Sequence, residues 1–211
     1  MHRDEVMVAE FLTRSNRLKV ETFNDDLRLG ATETPDFKVS GPIGEFFFCE
    51  VKSIRPSSPR SPSEPLLHNT MFNRLTRVIH KAARQFRAVN SQHLVPNVLV
   101  WVSRVLGINE RTLIELLQGS MSLDNHVFFD ASRQLDGRIK ESGDLNTIDL
   151  HIFLQAIDTP AFLFTPRWPE HLVTLQQAFA PTLPMARIPV EIPRRFGRSS
   201  FRTQGDPQTI E

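Results

Sequence analysis

Thr34-Pro-Asp-Phe-Lys-Val-Ser-Gly-Pro-Ile-Gly-Glu-Phe-Phe-Phe-Cys-Glu-Val-Lys-Ser53 reads as two short strands joined by a tight hairpin. Pro35-Asp36 heads the first strand, Asp36–Ser40. Gly41-Pro42 and Gly44 bracket the turn, and Glu45–Ser53 forms the second strand. Side chains alternate along a strand, so Glu50 and Lys52 share one face and Val51 takes the other. Phe46-Phe-Phe-Cys49 gives the second strand the apolar run of a buried, central position. A hairpin of this length brings Asp36 back beside Glu50. Two carboxylates and one ammonium then meet in one pocket.

The flanking sequence extends the pattern. Residues 4–16 predict an amphipathic helix, with Met7, Val8, Phe11 and Leu12 as its apolar stripe and Asp4 and Glu5 at its N-terminal end. Leu18–Phe23 alternates as a strand, and Asn24-Asp-Asp26 is turn chemistry. Residues 71–89 predict a second helix, with Phe72, Leu75, Ile79, Ala82, Phe86 and Val89 facing the sheet. Arg74, Arg77, Lys81 and Gln85 lie on another face; Lys81 and Gln85 are one turn apart. Pro96 opens a further strand that ends at Ser103. The order is helix, three strands, helix, strand.

Residues 4–103 resemble the PD-(D/E)xK nuclease superfamily, the restriction-endonuclease-like fold. Pro35-Asp36 and Glu50-x-Lys52 carry the resemblance. Val89 stands where the branch with a Gln-x-x-x-Tyr signature has its Tyr, so no subfamily is assigned. The resemblance implies an α/β fold with a mixed sheet and an αβββαβ core over 1–105. Residues 106–186 would be a C-terminal α/β extension of the same domain.

The resemblance also implies a metal-dependent nuclease that hydrolyses phosphodiester bonds. DNA is the expected substrate, and the setting would be defence, mobile-element processing or repair. Asp36 and Glu50 would bind Mg²⁺ or Mn²⁺, with the backbone carbonyl of Val51 as a further ligand, because hard cations take oxygen ligands. Lys52 would orient or deprotonate the attacking water, or stabilise the charge developing at the phosphate, the last being the favoured role. Glu10 is the family-like acid of the first helix and would bind a second metal or a metal-bound water, and Gln85 would orient water or phosphate. Arg74, Arg77, Lys81 and Arg84 would hold nucleic acid. Members that cut both strands are often homodimers.

Composition sets outer bounds. The chain has 211 residues, is 40% hydrophobic and contains 16 Phe, enough for a real core. No apolar run reaches membrane-spanning length and no signal-peptide pattern opens the sequence, so a soluble, cytoplasmic protein is expected. One Cys excludes an internal disulfide and a Cys-based zinc site, and the lack of Tyr excludes a phosphotyrosine intermediate. Net charge is +1. It is uneven, however: residues 55–87 carry seven Lys and Arg, with Glu64 as their one acid. A local basic face beside a carboxylate cluster suits a polyanion.

The remaining segments carry weaker signals. Residues 55–65, rich in Pro and Ser, predict an extended loop. Asn109–Gly119 predicts a helix; His126–Asp130, Ile148–Leu154 and Ala161–Phe164 predict strands; Trp168–Phe179 predicts a helix with Pro at its first position. Residues 187–211 read as a mobile Arg/Pro-rich tail. Cys49 is expected to be a core thiol. His68, His80 and His93 lack metal-ligand spacing, and Asp149 with His151 lacks an evident third ligand. Two other readings stand beside the nuclease: a non-catalytic nucleic-acid-binding or assembly protein that retains the fold, and an unrelated α+β protein.

Overall fold

The computed structural model describes residues 2–23, 33–41, 44, 46–54, 68–103, 120–123, 127–130, 143–155, 160–166 and 168–182. The expected helix over 109–119, the loop over 55–65 and the tail over 187–211 lie outside these residues. The chain is a mixed α/β protein: the described residues form a six-stranded mixed sheet with three helices, besides a separate two-stranded sheet.

Helix α1 spans Arg3–Glu10 and ends in a π-helical turn over Phe11–Ser15. Strands β1 (Lys19–Thr22), β2 (Phe37–Ser40) and β3 (Phe46–Ile54) follow, then helix α2 (His68–Val89) and strand β4 (Asn97–Ser103). Strands β5 (Ser120–Leu123) and β6 (Val127–Asp130) pair with each other in a separate two-stranded sheet. Strands β7 (Leu150–Gln155) and β8 (Ala161–Phe164) precede helix α3 (Pro169–Phe179).

The large sheet has the order β1-β2-β3-β4-β7-β8. β1–β2, β2–β3 and β7–β8 are antiparallel, while β3–β4 and β4–β7 are parallel. Parallel neighbours need a crossover, and α2 supplies it between β3 and β4. The β2–β3 hairpin turns through Gly44, whose φ of 89° is open to glycine at no steric cost.

Burial follows from the pattern of each strand. All seven residues of β4 are buried, as an apolar strand covered on both faces should be. On one face Leu75, Ile79, Ala82 and Phe86 of α2 pack against Leu99, Trp101, Phe153 and Leu163. On the other face Val8 and Leu12 of α1 and Leu175 and Phe179 of α3 pack against Phe47, Cys49, Val51, Val98 and Val100. The molecule is therefore layered, with helix on both faces of the sheet. The α2 stripe agrees with its sequence period, and Cys49 is a buried core thiol. Among the described residues, no helix is long and apolar enough to cross a membrane.

Candidate active site

The hairpin register decides the site. Phe37 pairs with Cys49 across β2 and β3, so Asp36, just before β2, stands next to Glu50. The backbone N–H of Asp36 donates to Glu50 Oε2 at 3.1 Å, and the N–H of Val51 donates to Asp36 Oδ2 at 2.7 Å. Each carboxylate is thus fixed by the backbone of the other's strand. Val51 turns into the core on the α1 side, which leaves Glu50 and Lys52 together on the α2 side. Lys52 Nζ donates to Glu50 Oε1 and, at 2.9 Å, to Gln85 Oε1.

Gln85 is oriented from both ends. Its Nε2 donates to the Thr34 carbonyl at 2.8 Å while its Oε1 accepts from Lys52. An amide satisfies that pair of partners in one orientation. Asp36, Glu50, Lys52 and Gln85 therefore converge. The helix that supplies Gln85 places it toward the sheet, buried, whereas Arg74, Arg77, Lys81 and Arg84 are exposed on the outer side. Gln85 is thus buried and Lys81 exposed, although one turn separates them. Arg84 directs its guanidinium at Glu33, with Nη2 at 2.7 Å from Oε2.

The structure places Glu10 elsewhere. Its carboxylate is about half exposed and pairs with Arg14 at 3.4 Å, one turn on along the helix. The first helix reaches the site through its N-terminal turn instead. The Glu5 carboxylate acts electrostatically on Asp36, and it accepts the His2 N–H at 2.8 Å. In the sequence Glu5 signals helix-terminus charge only. Its spacing from Glu10 carries no signal to separate the two, because the decisive quantity is which helical turn crosses the end of β3.

Electrostatics mark the carboxylate pair as under-compensated. Burial, together with the neighbouring Asp36 charge, pushes Glu50 up to about 8, against the downward pull of Lys52. Burial also raises Asp36, opposed by its bond from Val51 and by Lys52. One buried and one half-buried carboxylate face one ammonium, so the set lacks one positive charge. A hard divalent cation fits that deficit and those oxygen donors.

An unfolded Glu titrates near 4.5, so between about 4.5 and 8 the folded protein binds the Glu50 proton that the unfolded chain releases. Stability of the metal-free protein falls as pH rises through that range. Glu50→Gln should flatten this fall and leave the metal-free protein more stable above pH 8 by about 1–3 kcal/mol. Urea unfolding in chelator across the range measures it; an unchanged slope in the variant overturns the assignment.

A second buried cluster lies where β4 and β7 begin. Asp149, just before β7, receives His93 Nε2 at 2.6 Å on Oδ2 and His171 Nδ1 at 3.1 Å on Oδ1. The Asn97 N–H also donates to Oδ2, at 2.9 Å. Burial would raise Asp149, but the bonds from His171 and His93 outweigh it and hold it below its ordinary value. His151 is not part of this group. Its Nδ1 accepts from Trp101 Nε1 at 3.2 Å, its Nε2 has no hydrogen-bond partner among the described residues, and burial lowers its pKa to about 3. Elsewhere Asp144, also buried, binds His80 Nδ1 at 2.7 Å and Arg87, fixing the segment before β7 to α2.

No protein-family model matches the chain, and no curated protein and no solved structure matches it either.

Proposed function

We propose that the chain is a metal-dependent nuclease with a restriction-endonuclease-like core, acting on DNA. The observation that carries this reading is the convergence of Asp36, Glu50, Lys52 and Gln85 from two strands and a helix. The element order α1-β1-β2-β3-α2-β4 supports it. So does the carboxylate pair that lacks one positive charge.

Asp36 and Glu50 would hold one Mg²⁺ or Mn²⁺, with the Val51 carbonyl as the further ligand read from sequence. The cation supplies Lewis-acid stabilisation of phosphoryl charge and activation of water. The protein does the rest. Lys52 presents an ammonium beside the carboxylates, where charge builds on the phosphate. Gln85 positions that ammonium by accepting one of its N–H bonds, and Thr34 in turn fixes Gln85. Arg74, Arg77 and Lys81 offer an exposed basic side of α2 to the phosphodiester backbone. Arg84 reaches the same side while engaged with Glu33.

The test is incubation of the purified protein with supercoiled plasmid and with linear single-stranded DNA, in Mg²⁺, Mn²⁺ or chelator. Metal-dependent cleavage is expected, and the products distinguish nicking from end resection. Salt-sensitive DNA binding without any metal-dependent product would favour a binding protein on the same fold.

A further inference from the structure

We infer that His93, Asp149 and His171 form a structural zinc site where β4 and β7 begin. The inference stands independently of the nuclease reading.

Three separate parts of the chain converge there: the loop between α2 and β4, the residue before β7, and the first turn of α3. One donor atom from each residue lies within 4.8 Å of the others. The closer approaches, 2.6 and 3.1 Å, run through Asp149, and the two imidazoles sit 5.1 Å apart by ring centre. Zinc holds nitrogen and oxygen donors at about 2.0–2.2 Å, so tetrahedral donors stand on the order of 3.4 Å apart. A small opening of the present contacts reaches that spacing. Two imidazoles and a carboxylate are a donor set suited to Zn²⁺ rather than to Mg²⁺ or Ca²⁺. All three residues are buried; three protein donors leave the fourth tetrahedral position to one enclosed water, in a setting closed to substrate.

Two further observations favour a built site. His93 adopts φ 53°, a left-handed conformation uncommon for a residue with a side chain. Asn90 enforces it: its carbonyl accepts the His93 N–H at 2.9 Å, and its side chain holds Leu94 and Asn97. Strain of this kind persists where the surroundings over-determine it. Asp149 is also supported from behind by the Asn97 N–H, as outer-shell groups orient metal-ligating carboxylates. The ion would pin the α2–β4 loop and α3 to the sheet.

The tautomers separate the alternatives. A hydrogen-bonded clamp without metal needs protons on His93 Nε2 and His171 Nδ1, since both face Asp149. Zinc takes those same atoms and moves the protons to His93 Nδ1 and His171 Nε2. The full-length protein, stripped with chelator, is titrated with Zn²⁺ and followed by imidazole nitrogen NMR; Co²⁺ in place of Zn²⁺ reports geometry through its d–d absorption. Equimolar uptake, both tautomer changes and a four-coordinate Co²⁺ spectrum are expected. The spectrum should persist in the Asp36→Asn/Glu50→Gln double variant. Folded His93→Gln or His171→Gln protein should bind Zn²⁺ more weakly by about 100-fold or more. Folded wild type with unchanged tautomers and no Co²⁺ spectrum would overturn the site, as would full binding by a folded histidine variant. The wild-type measurements decide the question even if both variants fail to fold.

Discussion

Lys52→Ala is expected to lower metal-dependent DNA cleavage by about 10²–10³-fold at saturating substrate, the usual loss on removing one group aimed at developing charge. The Lys52 side chain is only 16% exposed and is held between Glu50 and Gln85. Its ammonium is thus positioned before substrate arrives, so the loss should fall on kcat rather than on KM. Folding should survive, because Glu50 already takes up a proton readily and can become neutral when the ammonium is gone. Lys52→Arg keeps the charge but cannot place a planar guanidinium where a compact ammonium sat, and should recover only a small part of the rate. Gln85→Ala should cost about 10–100-fold, since it releases Lys52 without removing it. Plasmid cleavage with circular dichroism as the folding control measures all three. A fully active Lys52→Ala protein would remove Lys52 from the mechanism.

Much of the sheet and the central pocket was legible in the sequence because both are local. The spacing from Asp36 to Glu50 is one hairpin, and strand alternation alone puts Lys52 beside Glu50 and Val51 opposite. Helix α2 was legible because a six-residue apolar stripe recurs at helical spacing. The π-helical end of α1 was not, since one extra residue per turn leaves no mark on an apolar stripe this short. Strand β5 was missed for a different reason: Ser-Met-Ser-Leu has too little apolar content to stand out, and pairing with β6 defines it. The buried Asp149 cluster was invisible because its histidines lie 56 and 22 residues away in sequence. No spacing rule connects them; only the crossover that sets β4 beside β7 does. In the sequence Asp149 and His151 share a strand face without an evident third ligand. In the fold Asp149 lies just before β7 and binds His93 and His171, while His151 meets Trp101.

Asp149→Ala should destabilise the protein by about 3–5 kcal/mol, as expected when one partner of a buried charged network is removed. The change leaves the Asn97 N–H and both imidazoles without their shared acceptor, in a site where all three residues are buried. The cost is larger than the worth of any one bond, because unpaired donors lose water and gain nothing in return. Asn97 transmits the damage further. Its backbone N–H binds Asp149, its side-chain amide binds the Thr147 carbonyl, and its side-chain oxygen accepts from Asn90. The start of β4, the segment before β7 and the end of α2 therefore loosen together. Asp149→Asn retains one acceptor oxygen and should cost about half as much. Urea unfolding in chelator isolates this hydrogen-bond contribution from any contribution of bound zinc. A loss below about 1 kcal/mol for Asp149→Ala would mean that the cluster is open to water, and the closed zinc site inferred from its burial would fall with it.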